Sequence, residues 1–200
     1  MHIKEAIRSR RAVKNFDPAH KISAAEQAEL FDLAQQSPSS FNIQHWRFVN
    51  VTDTATRKAI QDAAWGQAQV TEASLLLVLC ADIAAWSKQP ERYFASAPQP
   101  VRDALVPMIK PFYEGREQVQ RDEAMRSVGL VAQTLMLAAK GMGYDTCPMI
   151  GFDAGKVGEI IKLPADHAIG MLIVVGKATK PAHPKGGYLP LSTIVVENHF

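Results

Sequence analysis

Arg10, Arg11 and Lys14 bring three cations within five residues of one another, just after a short run with helical spacing. Guanidinium groups grip phosphate through paired N–H donors, and a lysine adds a point charge that reaches a further acceptor. On spacing alone the plainer reading is favoured, a solvated basic helix end that complements the C-terminal dipole. A second segment, Ser37-Pro-Ser-Ser-Phe-Asn42-Ile-Gln-His-Trp46, supplies the hydroxyls and amides that read the edge of a heterocycle. A structural turn built from Ser, Pro and Asn has the same composition. The six histidines are scattered and make no HxH or HExxH pattern, so no metal site is indicated. His45 lies inside the polar loop, where a surface or interface position is expected over proton donation. Cys80 and Cys147 have no CxxC partner and read as structural thiols, Cys80 within an apolar strand.

These groups must be positioned by elements that the hydrophobic pattern outlines. Residues 2–10 form a helix with Ile3 and Ile7 on one side. Ser23-Ala-Ala-Glu26 is a capping box with Ile22 at the staple position; it opens a helix with Leu30, Leu33 and Ala34 inside, stopped at Ser37-Pro38. Residues 46–51 alternate as a half-buried strand, and Thr54 to about Ala64 is a polar helix capped by Asp53 or Thr54. Leu75–Ala81 is apolar throughout, as suits a strand covered on both faces. Residues 82–100, with Pro90, Pro98, Pro100, Trp86, Tyr93 and Phe94, form a mobile, partly helical excursion. It leads into a helix from about Val101 to Gln118, distorted at Pro107 and Pro111. Arg121–Met142 is the longest helix and is apolar on nearly all sides in its middle, as in a core or a large interface. Strand and loop at 144–152, a short helix at 154–162, a strand at 167–177 and a Pro/Lys/Gly-rich tail follow.

Helices dominate without a regular βαβ rhythm, which indicates an α+β domain with one sheet between helical layers. No GxGxxG follows a strand, and Gly141-Met-Gly143 follows a helix, so the dinucleotide fingerprint is not met. Two hundred residues, 47% of them hydrophobic, suit one folded domain. A net charge of +2 from well-mixed charges speaks against nucleic-acid binding. No stretch reaches the ~20 apolar residues of a membrane span, and the opening MHIKEAIRSRR lacks the apolar core of a secretory signal. A soluble, cytoplasmic protein is the expectation.

The order R-R-x-x-K-x-F-D, then S-P-S-S-x-N-x-Q-x-W, then Gln67-x-Gln69, then Cys147-Pro-Met-Ile-Gly-Phe-Asp153 resembles the nitroreductase family across essentially the whole chain. The resemblance implies an intertwined homodimer, a central, mostly antiparallel sheet between helical layers, and two FMN sites at the subunit interface. It implies that Arg10 and Arg11, with the backbone of Ala12, hold the phosphate side of FMN, and that Lys14 lies by the pyrimidine edge. Pro38, Ser39, Ser40 and Asn42 would reach the flavin from the other subunit, and Gln67 and Gln69 would bond its polar edge. Pro148, Met149, Ile150 and Gly151 would cover one face, and Lys185 is the tail's candidate for the phosphate. Residues 82–118 would cross over the active site, with Phe112 and Tyr113 as candidates for lining the acceptor pocket. Residues 187–200 would form an arm onto the partner. The chain departs from many relatives in having Ala12 instead of a hydroxyl residue, Ile150 instead of an acidic one and Gln69 where some carry a lysine.

The activity so implied is two-electron transfer from NAD(P)H to nitroaromatic, quinone or similar small acceptors, by ping-pong turnover with the flavin doing the chemistry. A flavin reaction on a specific metabolite and a non-enzymatic flavin-binding role are the alternatives.

Overall fold

The computed structural model describes all 200 residues. Its helices are α1 (Ile3–Ser9), α2 (Ala24–Gln35), α3 (Thr54–Ala63), α4 (Gln69–Glu72), α5 (Gln99–Tyr113), α6 (Glu117–Gly141), α7 (Ala154–Ile160) and α8 (Leu191–Ile194). The strands are β1 (Trp46–Asn50), β2 (Leu75–Asp82), β3 (Asp145–Met149) and β4 (His167–Gly176). They form one antiparallel sheet in the order β1-β2-β4-β3, which leaves β1 and β3 at opposite edges.

Alternation along β2 divides the interior in two. Leu75, Leu77, Leu79 and Ala81 face α2 and α6, whereas Leu76, Val78 and Cys80 face α3, α7 and the segment after α3. Every residue of β2 is buried, as its unbroken apolar run requires. The pairing of β2 with β4 steps from Leu79↔Met171 to Cys80↔Ile169, so Gly170 is the extra residue of a β-bulge. A Cβ on Gly170 would stand 2.6 Å from Val128 Cγ1, so only glycine lets α6 approach the sheet this closely.

The capping box of α2 forms in both directions, Ser23 Oγ accepting from the Glu26 amide and Glu26 accepting from the Ser23 amide. That α2 buries Leu30 and Ala34 follows from the pattern, but Leu33 is half-exposed. Three residues on from Leu30, it is rotated by about 60° off that stripe.

Two further expectations need correcting. The helix expected to run to Gln118 stops at Tyr113, and Gly115 (φ +70°) turns the chain before α6 begins at Glu117. The proline-rich segment after β2 is not merely a loose excursion. Ala85, Tyr93 and Phe94 close with Ile43, Ile109 and Tyr113 into a third apolar cluster. The long helix α6 buries one stripe, including Ala124, Val128, Val131, Leu135 and Ala139, and leaves Leu130 exposed on its outer side.

Candidate functional site

The first group of expected residues assembles along the β3 edge. The Val13 amide donates to the Thr146 carbonyl at 3.0 Å, and Ala12 bridges Thr146 in parallel, which lays residues 10–14 against the strand. Arg10 caps α1, its amide donating to Ala6. Arg11 donates to the His183 carbonyl, and Lys185 Nζ donates to the Arg8 carbonyl at 3.2 Å. The tail thus brings its expected cation to the arginine segment. Burial pushes the Cys147 thiol up, and the neighbouring Lys14 and Arg10 pull against that shift. A cavity of about 280 Å³ opens between Lys14, Asn15, Lys180 and the residues 181–183, with no carboxylate in its wall.

Gln67 and Gln69 meet the far end of β3. Gln67 Nε2 donates to the Gly151 carbonyl at 2.8 Å, while buried Gln69 donates to Gln67 Oε1 at 2.9 Å and lies 3.7 Å from the Met149 sulfur. Met149 itself is buried, but Ile150 is 82% exposed and so offers an apolar surface at the rim. A Cβ on Gly151 would lie 3.2 Å from the Trp65 ring. Trp65, which was not among the expected site residues, is largely exposed at φ +56°. Its signal was the Trp65-Gly66 pair at a helix end, where the exposed indole borders the Gln67–Gly151 contact.

The second group, residues 37–46, sits by the β1 edge. Three residues there, Phe41, Asn42 and Gln44, take φ near +50°, conformations that need outside support. Ser39 Oγ accepts from the Gln44 amide at 2.9 Å, and Asn42 Nδ2 donates to the Tyr93 carbonyl at 2.7 Å. Arg47 Nη1 donates to the Gln44 carbonyl at 2.9 Å while its other terminal nitrogen pairs with buried Asp82 at 2.9 Å. Lys88 bridges Asp82 (2.8 Å) and Asp166 (2.6 Å), and His167 Nδ1 lies 2.6 Å from Asp166. Asp82, Asp166 and His167 could present ligand atoms to a cation, but the Lys88 ammonium already binds both carboxylates.

Pro38 and Asn42 are exposed, and Ser39 and Ser40 are half-buried. The loop lies three strand spacings across the sheet from the β3 group, roughly 14 Å. One chain therefore does not bring the two groups together.

One expectation fails here. His45 is not a surface residue: it is fully buried, with Nδ1 3.1 Å from Ser127 Oγ on α6, and burial drives its pKa down to about 4. Tyr113 is fully buried, stacked against Trp86 at 6.0 Å between ring centres, and packs within the third cluster. Phe112 remains partly exposed, in edge contact with Phe41 and beneath the Arg116 guanidinium.

Residues 7–177 match the sequence profile of the nitroreductase family. The chain belongs to that family. Among its relatives, protein DrgA of Synechocystis sp. is 50% identical over 96% of this chain and 93% of its own length. MhqN of Bacillus subtilis, assigned by name to the NAD(P)H nitroreductases, is 35% identical over 94% of this chain and 95% of its own. The crystal structure of an Exiguobacterium sibiricum protein, described as a nitroreductase in complex with FMN, superposes with a TM-score of 0.91. It is 31% identical and covers 98% of this chain and 97% of its own. The antiparallel sheet between helical layers is thus the nitroreductase fold, and no helix is long and apolar enough to cross a membrane.

Proposed function

We propose that this protein is a cytoplasmic, FMN-dependent oxidoreductase that takes two electrons from NAD(P)H and passes them to nitroaromatic, quinone or similar small acceptors, in ping-pong turnover. The observation that carries this reading is the meeting of Arg10, Arg11, Lys14, Gln67, Gln69 and Met149–Gly151 along one strand edge. The donor set fits FMN: cations without a carboxylate suit its phosphate, side-chain amides suit its pyrimidine edge, and the Pro148–Ile150 surface suits a flat apolar ring. When bound, FMN supplies the ring that accepts hydride from the nicotinamide and returns electrons to the acceptor.

The chain's own residues hold and orient. Arg10, Arg11 and Lys185 fix the phosphate end. Lys14 sets a positive charge beside the pyrimidine edge and favours an anionic reduced ring. Gln67 is committed to the Gly151 carbonyl, which holds the turn that presents Ile150 and leaves the Gln69 carbonyl oxygen free to accept a ring N–H. Exposed Ile150 offers the covered face of the ring an apolar contact and leaves the opposite face to the nicotinamide or acceptor.

The reading includes one domain over residues 1–200 and a homodimer in which Pro38, Ser39, Ser40 and Asn42 of one copy complete the site of the other. Their placement at the opposite sheet edge supports this, as do exposed Leu130 on α6 and the exposed Leu189, Leu191, Ile194, Val195 and Val196 of the C-terminal arm. Purified protein should be yellow, bleach with NADH or NADPH, and recover its colour with nitroaromatic and quinone acceptors. Colourless protein that cannot be reconstituted with FMN would overturn the proposal.

A further inference from the structure

Away from the β3 edge, the end of the sheet where β1 leaves and β2 begins encloses a cavity of about 440 Å³. Its wall includes Lys21, Gln27, Thr52, Thr54, Arg57 and Ser74, and it contains no carboxylate. Nearby Asp53 is turned into the cap of α3, where it accepts from the Thr56 amide and hydroxyl, both at 2.7 Å.

Arg57 is the unusual member. It is partly buried and forms no ion pair; its one hydrogen bond goes from Nη2 to the Ala73 carbonyl at 2.7 Å, and its Nε is enclosed without a partner. Burial alone shifts it below the ordinary arginine value, with no charge opposing that shift. Guanidinium groups withdrawn from water are ordinarily paired with an anion. The second cation of the wall, Lys21, has only the Pro18 carbonyl, at 3.0 Å. Two cations facing hydroxyls and amides lack an anionic complement, and the volume is that of a small-molecule pocket.

We propose that this cavity is a second ligand site, separate from the β3 edge, that takes a small hydroxyl-bearing anion, a phosphate ester or a hydroxy acid. Arg57 and Lys21 clasp the charged group, and the Thr52 and Thr54 hydroxyls meet the polar body of the ligand.

The test is calorimetric titration of the full-length protein at constant ionic strength with inorganic phosphate, glycerol 3-phosphate and malate. At least one should bind saturably at one per chain, and comparing the three distinguishes phosphate from carboxylate recognition and weighs the hydroxyls. Lys21→Gln should weaken that binding about tenfold, and Arg57→Gln should weaken it about 100-fold, because Arg57 is the less hydrated of the two cations. Should Arg57→Gln fail to fold, Lys21→Gln decides. Arg10→Ala should leave the binding intact. Absence of saturable binding, binding unchanged in Lys21→Gln, or binding lost in Arg10→Ala would each refute the site.

Discussion

The β3 edge and the loop before β1 are built on opposite plans. At the β3 edge, a regular strand with buried Thr146, Cys147 and Met149 holds a segment whose cations stay free of carboxylates. In the loop, three residues at positive φ are braced from outside, by Asn42 on Tyr93 and by Arg47, itself held on Asp82. One region keeps its charges uncompensated for a ligand. The other uses its charges up to maintain a backbone shape, and exposes Pro38 and Asn42. The lesson is that charge in a binding region can serve the ligand or the scaffold, and whether it is already paired tells which.

The sharpest way to break this contrast is to remove charge from the first region. Arg10→Ala with Arg11→Ala should weaken FMN binding by about 100-fold or more, at about 1.5–3 kcal/mol for each charge-assisted bond, while the thermal stability of the FMN-free protein barely changes. A large loss of stability with FMN affinity intact would reverse the roles assigned to the two regions. A flavin fluorescence titration alongside a melting curve reads both.

The loop side should answer to pH instead. His45 is neutral in the fold, with its pKa lowered from 6.5 to about 4 by burial, so between these values the unfolded chain binds the extra proton. Its contribution is full above about pH 6.5 and drains as pH falls toward 4, by about 3 kcal/mol in all. Urea melts near pH 7 and near pH 4.5 should show this loss in the wild type and a smaller one in His45→Gln. Equal losses in both would remove His45 from the account.

Smaller effects sharpen the comparison further. Lys14→Ala should lower the flavin reduction potential, since a cation beside the ring favours its anionic reduced form; an unchanged potential in spectroelectrochemistry would refute that role. Asn42→Ala should cost about 1 kcal/mol of stability through the lost bond to the Tyr93 carbonyl. The same melts can measure it.

Much of this architecture was legible in the residues. The capping box at Ser23–Glu26 and the apolar run of β2 each rest on local chemistry, and both appear where the pattern puts them. The cluster Arg10–Lys14 was different, because spacing alone favoured a solvated helix end and only the ordered set of motifs indicated a cofactor. Burial of His45 and Tyr113 was not legible, since both depend on how α5 and α6 close over the loop, a long-range arrangement with no local signature. Nor could the pattern of α6 tell a helix covered on all sides from one with an apolar outer edge. The bracing of Gln44 by Arg47 and Asp82 joins residues 35 positions apart, and β2 pairing brings them together.

The bulge in β4 has a consequence for how the chain tolerates editing. Met171 and Ile169 already pack on opposite sides of the sheet, as adjacent residues of a regular strand would, so Gly170 is surplus to the alternation. Deleting it should let the ladder close with every neighbour on its present side, whereas Gly170→Leu drives a side chain into Val128. The usual ranking should invert at this position, with the deletion melting above the substitution. Along the rest of β4 the loss of one residue turns one half of the strand over, exchanging its apolar and polar sides.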